Sequence, residues 1–218
     1  MLYYFGIRNS KGNKMAVAGR PRTFNKSEAL TKAMYIFWEK GYEGTTMADL
    51  INAIGMKAPS LYAAFGNKDS IFKEVVSNYM PIVVNGQLKV LNTTPIITLA
   101  VEGALQECIK LFSSNENPNT CLVITSAINT SPEHSEHGEH LKELRIAYKQ
   151  VWVDRFIKAK HDNQLSEAAD PFILAEYFTT LIQGMALKAK DGASKQSLEE
   201  TAKLGLKCMY GYCRSSTS

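Results

Sequence analysis

From Asn25 onward, apolar residues recur every three or four positions, and no useful length alternates polar with apolar as a half-buried strand would. That periodicity restricts the chain to an all-α fold, and Gly, Pro and Asn/Ser/Thr breakers cut it into helices. Asn25-Lys26-Ser27-Glu28 has capping-box spacing with Glu at N3. Ala29, Leu30, Ala33, Met34, Ile36, Phe37 and Trp38 carry this first helix to Gly41. Thr45-Thr46 offers the next cap, Met47, Leu50, Ile51 and Ile54 its apolar face, and Gly55 its stop. Pro59 suits the first turn of a third helix, where the missing N–H costs nothing, and that helix runs through Leu61, Tyr62 and Phe65 to Gly66. Asn67 caps a fourth, expected from Lys68 to about Met80 and ending near Pro81. Further helices are expected over 82–92, 95–113, 120–129, 137–161, 171–190 and 197–210.

Several functional classes fall away on composition. The 218 residues are 45% apolar and 21% charged, enough for a core without staples. Four cysteines (Cys108, Cys121, Cys208, Cys213) form no C-x-x-C pair, which argues against a disulfide scaffold or structural zinc and for a reducing cytoplasm. No apolar run reaches membrane-span length, and the first residues lack a secretory pattern. There is no G-x-S-x-G, H-E-x-x-H, P-loop or G-x-G-x-x-G, so neither an enzyme nor a cofactor is expected. Charge is uneven: residues 1–79 carry net +5 and residues 80–218 net −1. The first 22 residues hold five cations (Arg8, Lys11, Lys14, Arg20, Arg22) and no acid, a basic arm that suits a polyanion.

Residues 45–65 read as a short helix, a turn at Gly55 and a second short helix. So short a turn forces a steep crossing, with Leu50, Ile54, Leu61, Phe65 and Phe37 as the small core and the second helix held proud of the surface. Around this unit lie Gly19-Arg20-Pro21-Arg22, Ala29 to Gly41-Tyr42, Thr45-Thr46-Met47-Ala48-Asp49-Leu50, Gly55 to Ser60-Leu61-Tyr62-Ala63-Ala64-Phe65, and Asn67-Lys68-Asp69. At these intervals the chain resembles the TetR family of bacterial transcriptional regulators, with Ile51 and Ile54 departing from the alanines often found there.

The resemblance implies an N-terminal three-helix bundle with a helix-turn-helix, joined to a larger helical ligand-binding and dimerisation domain. The expected division is an extension over 1–19, a DNA-binding domain over 20–66, and an effector-binding and dimerisation domain over 67–218. It implies a homodimer on a palindromic double-stranded operator, most often a repressor released by a small-molecule or oxidant effector. Thr46, Tyr62 and Lys68 are then expected at phosphates. Lys57, Ala58, Pro59 and Ser60 are expected at base edges, and Arg20 and Arg22 in an arm along the minor groove or backbone. The competing reading is a cysteine- or metal-dependent helical sensor or enzyme that binds no DNA.

Three further features bear on the C-terminal part. Leu141, Leu144, Tyr148, Val151, Trp152 and Phe156 form one apolar stripe, and Ile146, Val153 and Ile157 a second. Helix 171–190 is apolar nearly all round, and this excess points to a helix–helix dimer interface built from these two helices. His134, His137 and His140 among Glu133, Glu136, Glu139 and Glu143 have metal-like spacing, but Gly138 interrupts and the pattern reads as an acidic, solvated helix start without a metal. Cys121 follows Asn119-Thr120 at a helix start, where the dipole is expected to lower a thiol pKa, with Lys190 as a conceivable cationic neighbour. Some regulators of the resembled family sense oxidants through cysteine, which makes Cys121 the candidate redox residue.

Overall fold

The computed structural model describes residues 25–127 and 131–213. Arg20, Arg22, the extension over 1–19 and the end of the helix expected over 120–129 lie outside the described residues. Ten α-helices make up the described chain: α1 (Lys26–Lys40), α2 (Met47–Ile54), α3 (Ala58–Phe65), α4 (Lys68–Val83), α5 (Lys89–Thr93), α6 (Ile97–Phe112), α7 (Leu122–Ala127), α8 (Ser135–His161), α9 (Pro171–Lys190) and α10 (Lys195–Tyr210). Helices α1, α2 and α4 begin at the caps read from sequence, and α3 begins with Pro59 in its first turn. Asn25 accepts from the Ser27 and Glu28 N–H groups, and Asn67 accepts from that of Ser70. The reciprocal capping box forms at α2, where Thr46 and Asp49 bond each other's backbone.

Helix α1 packs on both α2 and α4. Phe37, Leu50 and Leu61 are fully buried, with Ile54 and Phe65 nearly so, and they make the small core of the helix-turn-helix. Gly55 joins α2 to α3 with φ +77°, left-handed backbone that a side chain would strain.

The fourth helix does not end at Pro81. It passes through to Val83 and continues over Val84–Leu88 with wider, π-type turns, breaking where Gly86 adopts φ −85°, ψ −107°. An interior proline costs about 3 kcal/mol. Val75, Val76, Tyr79, Met80, Val83, Val84 and Leu88 all bury along the continued helix. Each apolar side chain is worth about 1.5–3 kcal/mol on burial, so the stripe outweighs the proline. The break falls at the glycine, the residue that tolerates it most cheaply.

In the C-terminal body α8 packs along α9, and α10 packs on α6 and α9. Arg155 braces it: Nε donates to the Leu91 carbonyl, and Nη2 to the Thr94 and Pro95 carbonyls, at 2.9–3.0 Å. The first stripe of α8 is core, with Leu141, Trp152 and Phe156 fully buried. The second is not a single outward stripe, because Val153 is buried while Ile146 and Ile157 are exposed. The larger exposed apolar surface lies on α9 and α10: Phe172, Ile173, Tyr177 and Leu187, with Leu204 and Tyr210. Gly205 lets these helices approach closely, since a Cβ there would sit 2.5 Å from the Leu181 Cδ2.

Candidate nucleic-acid interface

Helix α3 lies on the surface with its apolar residues turned down. Leu61 and Phe65 are buried, while Lys57, Pro59, Ser60, Tyr62 and Ala63 are exposed and Ala58 is half-buried. Lys57 is the N-cap residue and makes no side-chain cap bond, so its ammonium extends from the start of the helix. Tyr62 is 49% exposed, and its hydroxyl makes no hydrogen bond among the described residues. Thr46 is exposed at the start of α2, its hydroxyl accepting from the Asp49 N–H at 3.1 Å and donating to Oδ2 at 2.7 Å. Lys40 holds the other Asp49 oxygen at 2.7 Å. These bonds, the lysine's foremost, keep the carboxyl well below its ordinary value, so the acid beside Thr46 is charged but locally neutralised.

Lys68 has a different setting from the other expected contacts. Its ammonium donates to the Tyr42 and Thr45 carbonyls at 3.2 and 3.1 Å, and lies 4.1 Å from the centre of the Tyr42 ring. It ties the turn that precedes Thr46 to the start of α4, so its charge faces the protein.

Tyr42 is also the centre of a joint that the sequence did not reveal. Its hydroxyl donates to Asp69, and the His137 ring, 95% buried, packs 4.4 Å away with Nε2 3.3 Å from the same carboxylate. Next to it, Glu43 accepts from the Ser131 N–H at 2.8 Å and meets His134 Nδ1 at 3.0 Å. Of the histidines read as a solvated helix start, His140 stays half-exposed beside Glu143, while His134 and His137 are therefore docked against the helix-turn-helix head. Their partners come from Tyr42–Glu43 and from α4, which no local spacing could indicate. Burial would raise the Glu43 carboxyl, but the hydrogen bonds from Ser131 and His134 outweigh it and hold the pKa at about 2. The Tyr42 hydroxyl likewise holds Asp69 below its ordinary value despite burial, while burial and Asp69 push Tyr42 up.

A small, narrow pocket opens inside the body, lined by α4, α6, α7, α8 and α9. Cys121 and Arg145 face it. Burial pushes the Cys121 thiol up, against the opposing pull of Tyr79, the Ile124 and Val123 N–H groups and Arg145. That direction is the reverse of the one expected from a helix start, because removing water outweighs one short helix's dipole. The neighbouring cation is Arg145, and Lys190 is exposed. Tyr79 donates to Cys121 Sγ at 3.4 Å, and its ring meets Trp38 of α1 at 4.9 Å. Trp38 in turn donates to the Thr120 carbonyl at 2.9 Å. The pocket wall and the first helix of the head are thus in direct contact.

The family model for bacterial regulatory proteins of the tetR family matches residues 29–75, from α1 into α4. The HTH-type transcriptional repressor ComR of Escherichia coli (strain K12) is 31% identical over 185 residues, spanning 84% of this chain and 88% of that protein. The chain belongs to the TetR family. The HTH-type transcriptional repressor BdcR of the same organism is 25% identical over 85% of this chain and 89% of its own length. Among solved structures, a cysteine mutant of the TetR family regulator CifR complexed with 26bp double-strand operator DNA superposes with a TM-score of 0.82. It is 32% identical, over 86% of this chain and 98% of that one.

Membership makes this chain a helix-turn-helix, DNA-binding transcriptional regulator. Within the TetR frame, the joint of Tyr42, Glu43, Asp69, His134 and His137 links the DNA-binding head to the rest of the chain. No helix among the described residues is long and apolar enough to cross a membrane.

Proposed function

We propose that the protein is a homodimeric repressor that grips a palindromic operator with two copies of the α2–α3 unit. The division follows the sequence reading, with residues 20–66 as the head and 67–218 as the effector-binding and dimerisation part. The observation that carries it is the exposure of Lys57, Pro59, Ser60 and Tyr62 on α3 above a buried Leu61 and Phe65. Lys57, Ala58, Pro59 and Ser60 meet base edges in the major groove. Thr46 and Tyr62 contact phosphates, and the arm bearing Arg20 and Arg22 follows the backbone or minor groove. Lys68 works from behind, fixing the Tyr42–Thr45 turn and thereby the start of α2. The exposed apolar residues of α9 and α10 meet their two-fold copies, with Ile173, Tyr177 and Leu181 lining one shallow depression there. A two-fold pair of heads then reaches successive major grooves about 34–36 Å apart.

The effector, a small molecule or an oxidant, acts at the pocket beside Cys121. Two physical links lead from there to the head. Tyr79 contacts both Cys121 and Trp38, and α8 carries pocket residues Leu144, Arg145 and Tyr148 together with His137 of the joint. A change in pocket filling shifts the head's position, so operator and effector oppose each other by the same free energy. A mobility-shift titration on the DNA upstream of the protein's own gene tests the reading. Retarded complexes, lost with Ser60→Glu and Lys57→Glu, are expected. Failure of the folded wild-type dimer to retard that DNA beyond a random duplex would refute it.

A further inference from the structure

The pocket walls are mostly apolar, with Met80, Val83, Phe112, Leu144 and Ile182 among them, and Arg145 is the one charged residue among the described lining. Its Nη1 is buried and has no hydrogen-bond partner among the described residues. No carboxylate among them pairs with it either, and burial disfavours its charge. Arginine nonetheless stays protonated, because its intrinsic pKa lies far above any working pH. Arg155 on the same helix also leaves its Nη1 without a partner among the described residues, but its Nε and Nη2 donate to three carbonyls and brace the fold. Arg145 has no such structural task. A half-buried cation with an unpaired Nη1 has lost hydration that nothing replaces, and an anion arriving in the pocket would offset that loss.

The chemistry of the surroundings narrows that anion. One guanidinium neutralises one negative charge. A phosphate dianion would bring a second into apolar walls, where it would stay uncompensated. A carboxylate matches the planar fork with two parallel hydrogen bonds, and Met80, Val83 and Ile182 favour an apolar body behind it. The remaining polar groups add little charge. Gln87 is engaged through its carbonyl by Tyr148 and Cys108, each at 2.6 Å, and burial keeps the Cys108 and Cys121 thiols protonated.

We infer that the effector class is an organic monocarboxylate with a compact apolar body, its carboxylate seated on Arg145 between α8 and the Cys121 wall. The inference rests on the reading of this pocket as the effector site. Binding there is non-covalent and places the new ion pair on α8, the helix that also carries His137 of the head joint.

Calorimetry and thermal shift on the full-length protein test it, with benzoate and octanoate as probes and benzyl alcohol and 1-octanol as uncharged counterparts. The carboxylates are expected to bind at least roughly tenfold more tightly than the alcohols, as one charge-assisted bidentate pair requires. Arg145→Met should erase that preference while raising the melting temperature of the ligand-free protein, since it removes a half-buried charge whose Nη1 is unpaired. Arg145→Gln serves as the second variant should the methionine pack badly. Equal binding of acid and alcohol, an unchanged preference in both variants, or no shift with any acid from acetate to octanoate at millimolar concentration would overturn the inference. Ligand-free operator binding is measured in parallel. Its absence refutes the regulator reading, whereas operator binding without carboxylate binding refutes only the ligand class.

Discussion

Tyr62→Phe isolates a single atom of the proposed interface. The Tyr62 ring is 49% exposed and its hydroxyl makes no hydrogen bond among the described residues, so removing the oxygen leaves the fold's packing and bonding intact. The melting temperature should therefore stay within about 1 °C of wild type. A hydroxyl donating to a phosphate oxygen contributes about 1–1.5 kcal/mol net. Two heads bind one operator, so the loss is about 2–3 kcal/mol, or roughly 30- to 150-fold in Kd. The hydroxyl is neutral and displaces no counterion. Plots of log Kd against log salt for the two proteins should therefore run parallel. Fluorescence anisotropy with a labelled operator over about 50–200 mM salt reads all of this at once. A Kd within twofold of wild type would refute the phosphate contact. A large fall in melting temperature would show that the oxygen serves the fold instead.

Other outcomes follow from the same geometry. Lys57→Ala should relax base preference at one position of each half-site by about 1–3 kcal/mol, read from a panel of single-base operator variants, with stability unchanged. Glu43 has its folded pKa held at about 2 against an ordinary 4.5, so its contribution is present above about pH 4.5 and lost as the pH falls toward 2. Glu43→Gln should cost about 1 kcal/mol at neutral pH, discounted because the Glu43 side chain is 29% exposed, and its urea midpoint should vary less with pH across that acid window. Leu204, 64% exposed on α10, tests the proposed dimer surface. Leu204→Glu should sediment as a folded monomer and lose at least roughly tenfold in operator affinity, because the two half-sites are no longer engaged together.

The sequence alone determined what depends on local chemistry. Caps at Asn25, Thr46 and Asn67, the stop at Gly55 and the apolar spacing of Leu50, Ile54, Leu61 and Phe65 each act within a few residues. They place α1 to α4 and hold α3 outward, and they carry the family's pattern. Tertiary structure decided what depends on partners distant in the chain. Pro81 reads as a stop, yet the helix runs on because a buried stripe from Val75 to Leu88 outweighs its cost. Cys121 reads as an activated thiol, yet burial raises it despite the hydrogen bond from Tyr79. His137 reads as solvated, yet it sits on Asp69 and Tyr42, 68 residues from the former. Arg145 has no feature in sequence that separates it from Arg155, and only the three carbonyls gathered around Arg155 do so. Periodicity and caps are set by neighbours along the backbone. Ionisation, ligand chemistry and the joint between head and body are set by water excluded and charges brought near, and those exist only once the helices have packed.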